Sequence, residues 1–401
     1  MQLDTGGRLG ELTYCTNIHA GEQWADVHAS LAEKLPRIKA QVAPEQPLGL
    51  GLRISAAMAE SLSTEAERDA LKTLLGDDYY VFTVNAFPYG AFHGQPVKDG
   101  AYRPDWTDDE RLRYTNQTAD VLAGFVPRGA YASISTVPCS FKPWFATQQH
   151  AAVSADCATR IGRHAAHLHQ IYERDGVHLT LAIEPEPFCL LETIAETVEF
   201  FEQHLCAGAG LAAFVAASGC DVGEASSLMR RYVGVCYDVC HAAVEYEDPR
   251  GSVAALQAAE IQICKAQLSS ALRVAEVTPA AADALAQFDE PVYLHQTMER
   301  NGDEILRFED LSAALSRVDA AAGREWRSHF HVPIFLERMQ HFDTTQGFLK
   351  EILALQREAP FTRQLEVETY TWDVLPEQYR GVDVADAIAR ELNWVIGELV
   401  E

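Results

Sequence analysis

The sequence predicts a single (β/α)8 barrel with insertions on its strand-exit face, and three observations support this fold class. Eight apolar runs of β type alternate with helical patterns, as in βα units around a parallel sheet. The 401 residues, 48% of them hydrophobic, are enough to fill one large barrel. Acidic side chains follow three of the runs, where barrel enzymes collect their catalytic groups. The predicted strands cover residues 12–17, 48–55, 79–87, 131–137, 179–185, 233–238, 261–270 and 364–371.

Helical patterns lie between these strands. After the first strand, apolar residues recur at steps of three and four, at Trp24, Val27, Leu31, Leu35 and Ile38. Thr107 with Glu110, and Thr193 with Glu196, match the capping box in which two side chains satisfy the free amides of a helix start. Both pairs follow predicted strands, as a barrel requires.

Two connections exceed the usual length: residues 86–106 after the third strand, and residues 271–363 between the seventh and the eighth. The second contains two further strand-like runs, at 292–297 and 328–335, with helical patterns around them. Insertions on the exit face commonly form lids or substrate walls. We therefore expect one barrel over residues 1–401 that carries these two insertions.

The composition and the missing motifs narrow the range of functions that this chain could have. A net charge of -26, from 32 Lys and Arg against 58 Asp and Glu, argues against binding to nucleic acid or to an anionic membrane, since both need clustered positive charge. The N-terminus lacks a basic segment followed by an apolar run, and no stretch of about 18 apolar residues occurs. Nine cysteines without a CxxC pair are typical of a reduced, intracellular protein, so we expect a cytoplasmic location. Phosphate-binding loops of the GxxxxGK or GxGxxG type are absent after strands, so no nucleotide is predicted.

Three carboxylates stand at the ends of predicted strands: Glu184 in IEPEP, Asp238 in CYDVC and Glu368 in EVETY. Burying such charges is unfavourable unless they meet a metal ion or a polar substrate. Glu186 competes with Glu184 within the same motif, and a structural salt bridge is the alternative role for either residue. The arrangement predicts a site at the mouth of the barrel.

Further polar groups stand near these carboxylates. His241 follows Asp238 by three residues, so the pair offers an oxygen donor and an imidazole for a metal or a substrate hydroxyl. Lys265 and Gln267 share one face of the seventh strand, where an inward amide would complete an oxygen-rich metal site. The alternative is that Gln267 only bonds within the barrel and that Lys265 is a counter-ion to the acidic exits.

The order IEPEP, DVCH, a polar strand exit and ETY resembles the xylose-isomerase-like barrel superfamily, which includes sugar isomerases, sugar epimerases and relatives of endonuclease IV. The resemblance spans almost the whole chain. Five segments resemble more closely the metabolite-traffic proteins of the Ebo type: LTYCTNIHAGE at 12–22, NAFPYGAFHG at 85–94, YRPDW at 102–106, SISTVPCSFKPW at 133–144 and HFHVP at 329–333.

The superfamily resemblance implies one divalent ion, of Mn, Mg, Zn or Co, held by four strand exits. The matching positions here are Glu184, Asp238, Gln267 and Glu368. Many sugar epimerases have histidine where Gln267 stands. Its carbonyl oxygen is therefore the fourth ligand of a hard ion such as Mn or Mg, or His295 or His331 enters from the long insertion, or metal binding is weakened or lost.

With such a metal site, the expected reaction is isomerisation or epimerisation through an enediolate that the ion stabilises. Glu184 and Glu368 would act as acid and base on the substrate carbon. The Ebo resemblance implies a small sugar or cyclitol-like metabolite, and other Ebo-type pathway proteins as partners. The candidates for contacting this substrate are His241, His93, His295, His331, Lys142, Lys265 and Asn85.

Two other functions fit the same barrel. A non-catalytic protein that binds and hands over a metabolite would keep the pocket without turnover. A phosphodiesterase resembling endonuclease IV would need several metal ions, more histidines at the strand exits and a positively charged groove. The acidic composition counts against this last function.

Overall fold

Eight parallel strands form the barrel in the computed structural model, which describes residues 1–94, 96–376 and 381–400. From the second strand to the seventh, each strand pairs with the next along the chain, and the eighth pairs with both the seventh and the first. A parallel bridge between Cys15 and Gly51 closes the ring. The predicted fold class and all eight predicted strands are confirmed. The barrel strands are β1 Glu11–Tyr14, β2 Leu48–Arg53, β3 Tyr79–Asn85, β4 Tyr131–Thr136, β5 His178–Ile183, β6 Val233–Asp238, β7 Ile263–Leu268 and, after the insertion, β13 Gln364–Val367.

The barrel interior is packed with side chains, and one of its close contacts requires glycine. A β-carbon added to Gly51 would lie 1.9 Å from Oε1 of Glu366, well inside contact distance. Glu366 and Lys265 are both fully buried in this interior. Glycine in β2 therefore makes room for a charged pair at the centre of the barrel.

Helices surround the barrel, and the capping residues at two of their starts can be compared with the prediction. Thr193 and Glu196 form the predicted capping box. The predicted start at Thr107 is wrong by one residue, because the side chain of Asp108 accepts the hydrogen bond from the amide of Glu110. The α-helices are α1 Trp24–Val42, α2 Ala56–Leu62, α3 Glu65–Leu75, α4 Asp109–Ala123, α5 His150–Asp175, α6 Ile194–Phe200, α7 Ala209–Ser218, α8 Val222–Tyr232, α9 Val239–Val244, α10 Pro249–Ala258, α11 Pro279–Leu285, α12 Leu311–Leu315, α13 Gln346–Glu358 and α14 Val384–Val400.

A second, antiparallel sheet arises from the insertion between β7 and β13. Its strands are β8 Leu272–Val274, β9 Thr297–Asn301, β10 Glu304–Phe308, β11 Glu325–Ser328 and β12 Asp343–Thr344, in the order β10-β9-β11-β8-β12. The two strand-like runs predicted here meet these strands only at Thr297 and Ser328. Outside the strands, the backbone amides of the second run make single hydrogen bonds and not the ladder of a sheet. The amide of Val332, for example, donates to the carbonyl oxygen of Ser270 at 2.9 Å.

Within the part of the chain that the structure describes, no single helix is long and apolar enough to cross a membrane. One bent pair, Ile194–Leu205 with Ala209–Ser218, meets those criteria when its two halves are counted together.

Candidate active site

Three buried carboxylates converge where β5, β6 and β13 end. Glu184 follows β5, Asp238 is the last residue of β6, and Glu368 follows β13. Each is at most 4% exposed, and one oxygen from each lies within 4.8 Å of the oxygens from the other two. The structure thus brings together the three carboxylates that the sequence places at strand exits.

The electrostatics of this cluster are unfavourable without a cation. Burial, followed by the nearby charge of Asp238, raises the pKa of Glu184 well above its usual range. Burial and the neighbouring carboxylates do the same to the pKa of Glu368. Burial also acts to raise the pKa of Asp238, but the nearby imidazoles of His241 and His331, together with hydrogen bonds from Ser269 and from the amide of His241, lower that pKa. Two of the carboxyl groups therefore resist ionisation unless a positive charge joins them.

Two oxygens of the cluster have no hydrogen-bond partner among the described residues: Oε2 of Glu184 and Oδ2 of Asp238. Glu368 differs, because its Oε1 accepts from Nδ2 of Asn17 at 2.8 Å and from Nδ2 of Asn85 at 3.1 Å. Buried polar atoms normally have partners, and carboxylate oxygens are ligands that divalent ions prefer. The residues present therefore fit a divalent metal ion.

Gln267 and Lys265 are buried on β7, where Gln267 pairs in register with Asp238 of β6 and Lys265 pairs with Cys236. Oε1 of Gln267 accepts from Sγ of Cys236 at 3.0 Å, and its Nε2 has no partner among the described residues. Nζ of Lys265 donates to Oε2 of Glu366 at 2.5 Å. Neither residue lines the pocket described below. Their roles as metal ligand and substrate contact remain predictions.

Three histidines meet beside the carboxylates. His241 lies on α9, while His329 and His331 come from the coil after β11. Nε2 of His329 is 3.1 Å from Nε2 of His241 and 3.3 Å from Nε2 of His331. Nitrogens of His241 and His331 also lie within 4.8 Å of an oxygen of Asp238. His295, the other histidine proposed as fourth ligand, instead places its Nε2 2.9 Å from Oε1 of Glu290.

A pocket opens beside the carboxylates, and Glu184 and Glu368 line it. Its wall includes five aromatic rings, from Phe87, Phe92, Tyr102, Tyr293 and Tyr370. Its polar side chains include Asn17, Asn85, Glu184, Glu186, His241, His329 and Glu368. Several of the rings come from the connection after β3, and Tyr293 comes from the long insertion, so both segments contribute to the wall of the pocket.

The remaining predicted substrate contacts are not among the residues that line this pocket, and their side chains contact other protein groups. Nε2 of His93 is 2.6 Å from the carbonyl oxygen of Asn17, and its Nδ1 is 3.0 Å from the hydroxyl of Tyr293. Nζ of Lys142 binds Glu192 at 2.7 Å and Glu196 at 2.8 Å. Of the seven predicted substrate contacts, Asn85 and His241 line the pocket.

The sequence did not single out a chain of polar contacts at the pocket. Nδ1 of His329 is 2.8 Å from Oε1 of Gln296, whose Nε2 donates to the hydroxyl of Tyr102 at 2.8 Å. That hydroxyl donates in turn to Oε1 of Glu186 at 2.7 Å. The HFHVP motif could have indicated His329. Alternate residues of an extended segment lie on the same face, and His329 stands two residues before His331. We find no comparable signal for Gln296 or Tyr102.

No protein-family model and no curated protein matches this chain. The chain is similar to several solved structures. One is the IolI protein with a bound zinc atom, at 15% identity over 98% of this chain and 99% of that one, with a TM-score of 0.44. A putative sugar phosphate isomerase/epimerase from Anabaena variabilis has 12% identity over 97% and 98%, with a TM-score of 0.47. An L-ribulose 3-epimerase has 13% identity over 97% and 93%, with a TM-score of 0.41.

Proposed function

We propose that this protein is a divalent-metal-dependent isomerase or epimerase that acts on a sugar or a cyclitol-like polyol. The observation that carries the proposal is the convergence of Glu184, Asp238 and Glu368 within 4.8 Å, with unpartnered oxygens on the first two. Buried carboxylates this close need a cation to stay ionised together. They also stand at the exit ends of barrel strands, where this fold carries its catalytic groups.

Glu184, Asp238 and Glu368 would hold the ion through their carboxylate oxygens. The fourth position remains open between Gln267, as the sequence predicts, and His331, whose nitrogen lies near Asp238. A bound divalent ion would polarise the carbonyl of the substrate and offset the negative charge that develops on its oxygen.

Glu184 and Glu368 would move the proton. They follow β5 and β13, which β6 and β7 separate, so their carboxyl groups approach the site from different directions. The two amides that bind Oε1 of Glu368 fix this side chain and leave its other oxygen free of those contacts. One carboxylate would remove a proton from the carbon beside the carbonyl, and the other would return a proton. Return to the same carbon is epimerisation, and return to its neighbour is isomerisation.

The pocket favours an uncharged polyol. Aromatic rings pack against the apolar faces of sugars, while the amides of Asn17 and Asn85 and the imidazole of His241 suit hydroxyl groups. Among the described residues, Lys98 is the one cationic Lys or Arg side chain in the lining, and Asp310 pairs with it at 2.6 Å. A phosphorylated substrate would find no free cation of that kind there.

The place of this reaction in metabolism rests on the sequence resemblance alone. We propose a role in small-molecule biosynthesis or traffic of the Ebo type, with a sugar- or cyclitol-derived metabolite and other pathway proteins of that type as partners. A cytoplasmic location belongs to the same proposal.

Exchange of substrate hydrogen with solvent tests this function before the product is known. Ketoses, aldoses and inosose-type cyclitols are incubated in D2O with the metal-loaded protein, and deuterium at carbon is measured by mass spectrometry. We expect exchange with the wild type, loss of exchange in Glu184→Gln and Glu368→Gln, and full exchange in Glu33→Gln, a control that removes an exposed carboxylate from α1. Binding of a polyol without any exchange would refute catalysis and favour a carrier protein.

A further inference from the structure

A second cavity lies on the antiparallel sheet of the long insertion, and it shares no lining residue with the pocket at the strand exits. Its lining comes from β8, β9, β11 and β12, from the start of α13 and from neighbouring loops. In a chain with a net charge of -26, this lining is unusually rich in cations. It holds five of the 32 Lys and Arg side chains: Arg273, Arg300, Arg327, Arg338 and Lys350.

The sheet places two of these arginines side by side. Arg273 of β8 and Arg327 of β11 stand directly opposite each other in the antiparallel register. The residues before and after each of them are at most 5% exposed, so both guanidinium groups lie on the other, outer face of the sheet. Like charges that are directly opposite on neighbouring strands destabilise a sheet. This pair therefore needs negative charge beside it.

One carboxylate, that of Glu325, supplies part of this negative charge. Its Oε1 accepts from Nε of Arg273 at 3.1 Å and from Nε of Arg327 at 2.9 Å. Its Oε2 accepts from Nη2 of Arg273 at 3.0 Å and from Nη2 of Arg300 at 3.1 Å. Three guanidinium groups thus share one carboxylate, which leaves an excess of two positive charges at this arginine cluster.

The other acidic groups of the lining do not remove this excess. Asp343 pairs with Nε of Arg338 at 3.1 Å and lies 3.7 Å from Nη1 of Arg273, so a fourth arginine shares its charge. Glu247 is engaged elsewhere, because its Oε1 accepts from the amide of Ile194 at 2.9 Å. The remaining charged side chains of the lining are exposed to solvent, which screens them: Lys350, Glu337 and Glu351.

The arginine cluster keeps unused donors in a fixed position. Among the described residues, Nη1 of Arg300 and Nη2 of Arg327 have no hydrogen-bond partner. Nη1 of Arg327 donates to the carbonyl oxygen of Ala243 at 2.6 Å. The guanidinium groups of Arg300 and Arg327 also lie 4.6 Å and 4.0 Å from the ring centroid of Tyr246. Stacked and hydrogen-bonded guanidinium groups lose less entropy when they bind an anion.

The start of α13 adds backbone donors to the same cavity. Gln346, Gly347 and Phe348 line the cavity, and the first turn of the helix carries no acidic side chain. The amide of Gln346 donates to Oγ1 of Thr344 at 3.2 Å, and the amide of Phe348 donates to the carbonyl oxygen of Thr345 at 2.9 Å. The amide of Gly347 has no partner in the part of the chain that the structure describes. Amides at a helix start bind anions.

We infer that Arg273, Arg300 and Arg327, together with the start of α13, form a binding site for the phosphate group of a small metabolite. A phosphate group carries a charge of about -2 at pH 7, which matches the excess at the arginine cluster, whereas a carboxylate supplies half of it. Guanidinium groups bind phosphate oxygens in pairs, and helix starts favour the same group. This inference goes beyond the proposed function, since occupancy of the site does not depend on turnover.

Calorimetric titration of inorganic phosphate into the full-length protein at low salt tests this site. We expect saturable binding of one phosphate per chain, and at least about tenfold weaker binding of acetate, which carries a single charge. Arg300→Gln should weaken phosphate binding at least about tenfold, because it removes a charged donor. Arg300 is 42% exposed and makes one hydrogen bond, so the fold depends little on it.

Two controls separate this site from other places where phosphate could bind. Arg37→Gln changes an arginine of α1 that is 45% exposed and pairs with Asp383 at 3.0 Å, and it should bind phosphate as the wild type does. Asp238→Asn, which weakens the proposed carboxylate centre, should also keep the wild-type affinity. Loss of binding in Asp238→Asn with full binding in Arg300→Gln would place the phosphate on a metal ion and overturn the inference.

Absence of saturable phosphate binding to the wild type would overturn it as well, and equal affinity for acetate would overturn the assignment to a phosphate group. Thermal unfolding shows whether Arg300→Gln is folded. If it is not, Arg300→Lys takes its place. This variant keeps the charge but removes the paired donors of the guanidinium group, so it should weaken phosphate binding too. Unchanged affinity in the folded variant would contradict the site.

Discussion

Nζ of Lys265 lies 2.5 Å from Oε2 of Glu366 at the centre of the barrel, where both side chains are fully excluded from water. Taking two charges out of water is unfavourable, and their attraction offsets this only while both are present. Burial acts to lower the pKa of Lys265, but the neighbouring charge of Glu366 outweighs it and raises that pKa. The pair lies inside the barrel and is not part of the pocket lining.

Removal of one partner should destabilise the barrel strongly. We expect Lys265→Met to lower the free energy of unfolding by about 3–5 kcal/mol, because it leaves Glu366 buried and unpaired. The double variant Lys265→Met/Glu366→Leu should recover most of that loss, since neither charge then remains. Chemical denaturation of the wild type and both variants measures these differences. Equal stability of the single and double variants would contradict a coupled pair.

Replacement of Glu368 should abolish catalysis and leave the fold intact. We expect Glu368→Gln to lower deuterium exchange by about 10²–10⁴-fold, the usual contribution of a positioned acid or base. In the metal-free protein its melting temperature should stay level or rise, because the change removes a buried ionisable group. Solvent exchange and thermal unfolding give the two readouts. Unchanged exchange in this variant would exclude Glu368 as a proton-transfer group.

Asn85 should act by positioning Glu368. Its amide donates to Oε1 of Glu368 at 3.1 Å, and Asn17 donates to the same oxygen. We expect Asn85→Ala to reduce the exchange rate by about tenfold, which corresponds to about 1.4 kcal/mol, and to shift its pH profile upward, because a lost hydrogen bond raises the pKa of the carboxyl group. Asn85→Asp adds a fourth carboxylate and should lower the rate further. A pH profile that superimposes on the wild type would contradict this role.

Glu391 should make stability depend on pH. Burial raises its pKa to about 7, although hydrogen bonds from the hydroxyl of Thr369 and the amide of Ile334 act to lower it. Between its ordinary value of 4.5 and about 7, the folded state keeps a proton that the unfolded state has released. Stability from this group is therefore complete at low pH and is lost as pH rises through that window.

The size of this effect is about 3 kcal/mol, since one pKa unit corresponds to about 1.4 kcal/mol. Glu391→Gln, which cannot ionise, should remove it. The difference in unfolding free energy between the variant and the wild type should thus grow in favour of the variant from about pH 5 to about pH 8. Denaturation curves at several pH values measure it. Parallel pH profiles would contradict the raised pKa.

Chelation should destabilise the folded protein, because an ion that binds only the folded state stabilises it by mass action. An ion present at about 100 times its dissociation constant contributes about 2.7 kcal/mol. We expect the melting temperature to fall after treatment with chelator and to recover when the ion is restored. Asp238→Asn, which weakens the carboxylate centre, should respond less than the wild type. Identical melting with and without chelator would contradict a bound ion.

The barrel was predictable because its signals are local. Each strand is an apolar run between turns, and the carboxylates Glu184, Asp238 and Glu368 stand out because charge at the end of a buried run is unusual. The start of α4 was missed by one residue because Thr107 and Asp108 are both good caps, and the hydroxyl of Thr107 donates to Asp105 instead.

The second half of the site was not predictable in the same way. His329 and Gln296 lie in an insertion whose strands β9 and β11 overlap the predicted runs only at Thr297 and Ser328. The coil that carries His329 is held by single contacts to distant residues, such as that of its amide to the carbonyl oxygen of Gln296 at 2.8 Å. No periodic pattern encodes such contacts, so the convergence of three imidazoles follows only from the folded chain.

Elemental analysis of the protein purified without chelator tests the central claim most directly, when it is run beside Glu184→Ala and Asp238→Ala. The carboxylate centre predicts at least one divalent ion per chain in the wild type and a loss of bound ion in both variants. A wild-type protein that holds no ion, even after incubation with Mn²⁺, Mg²⁺, Zn²⁺ and Co²⁺, would contradict a metal-dependent reaction at this site.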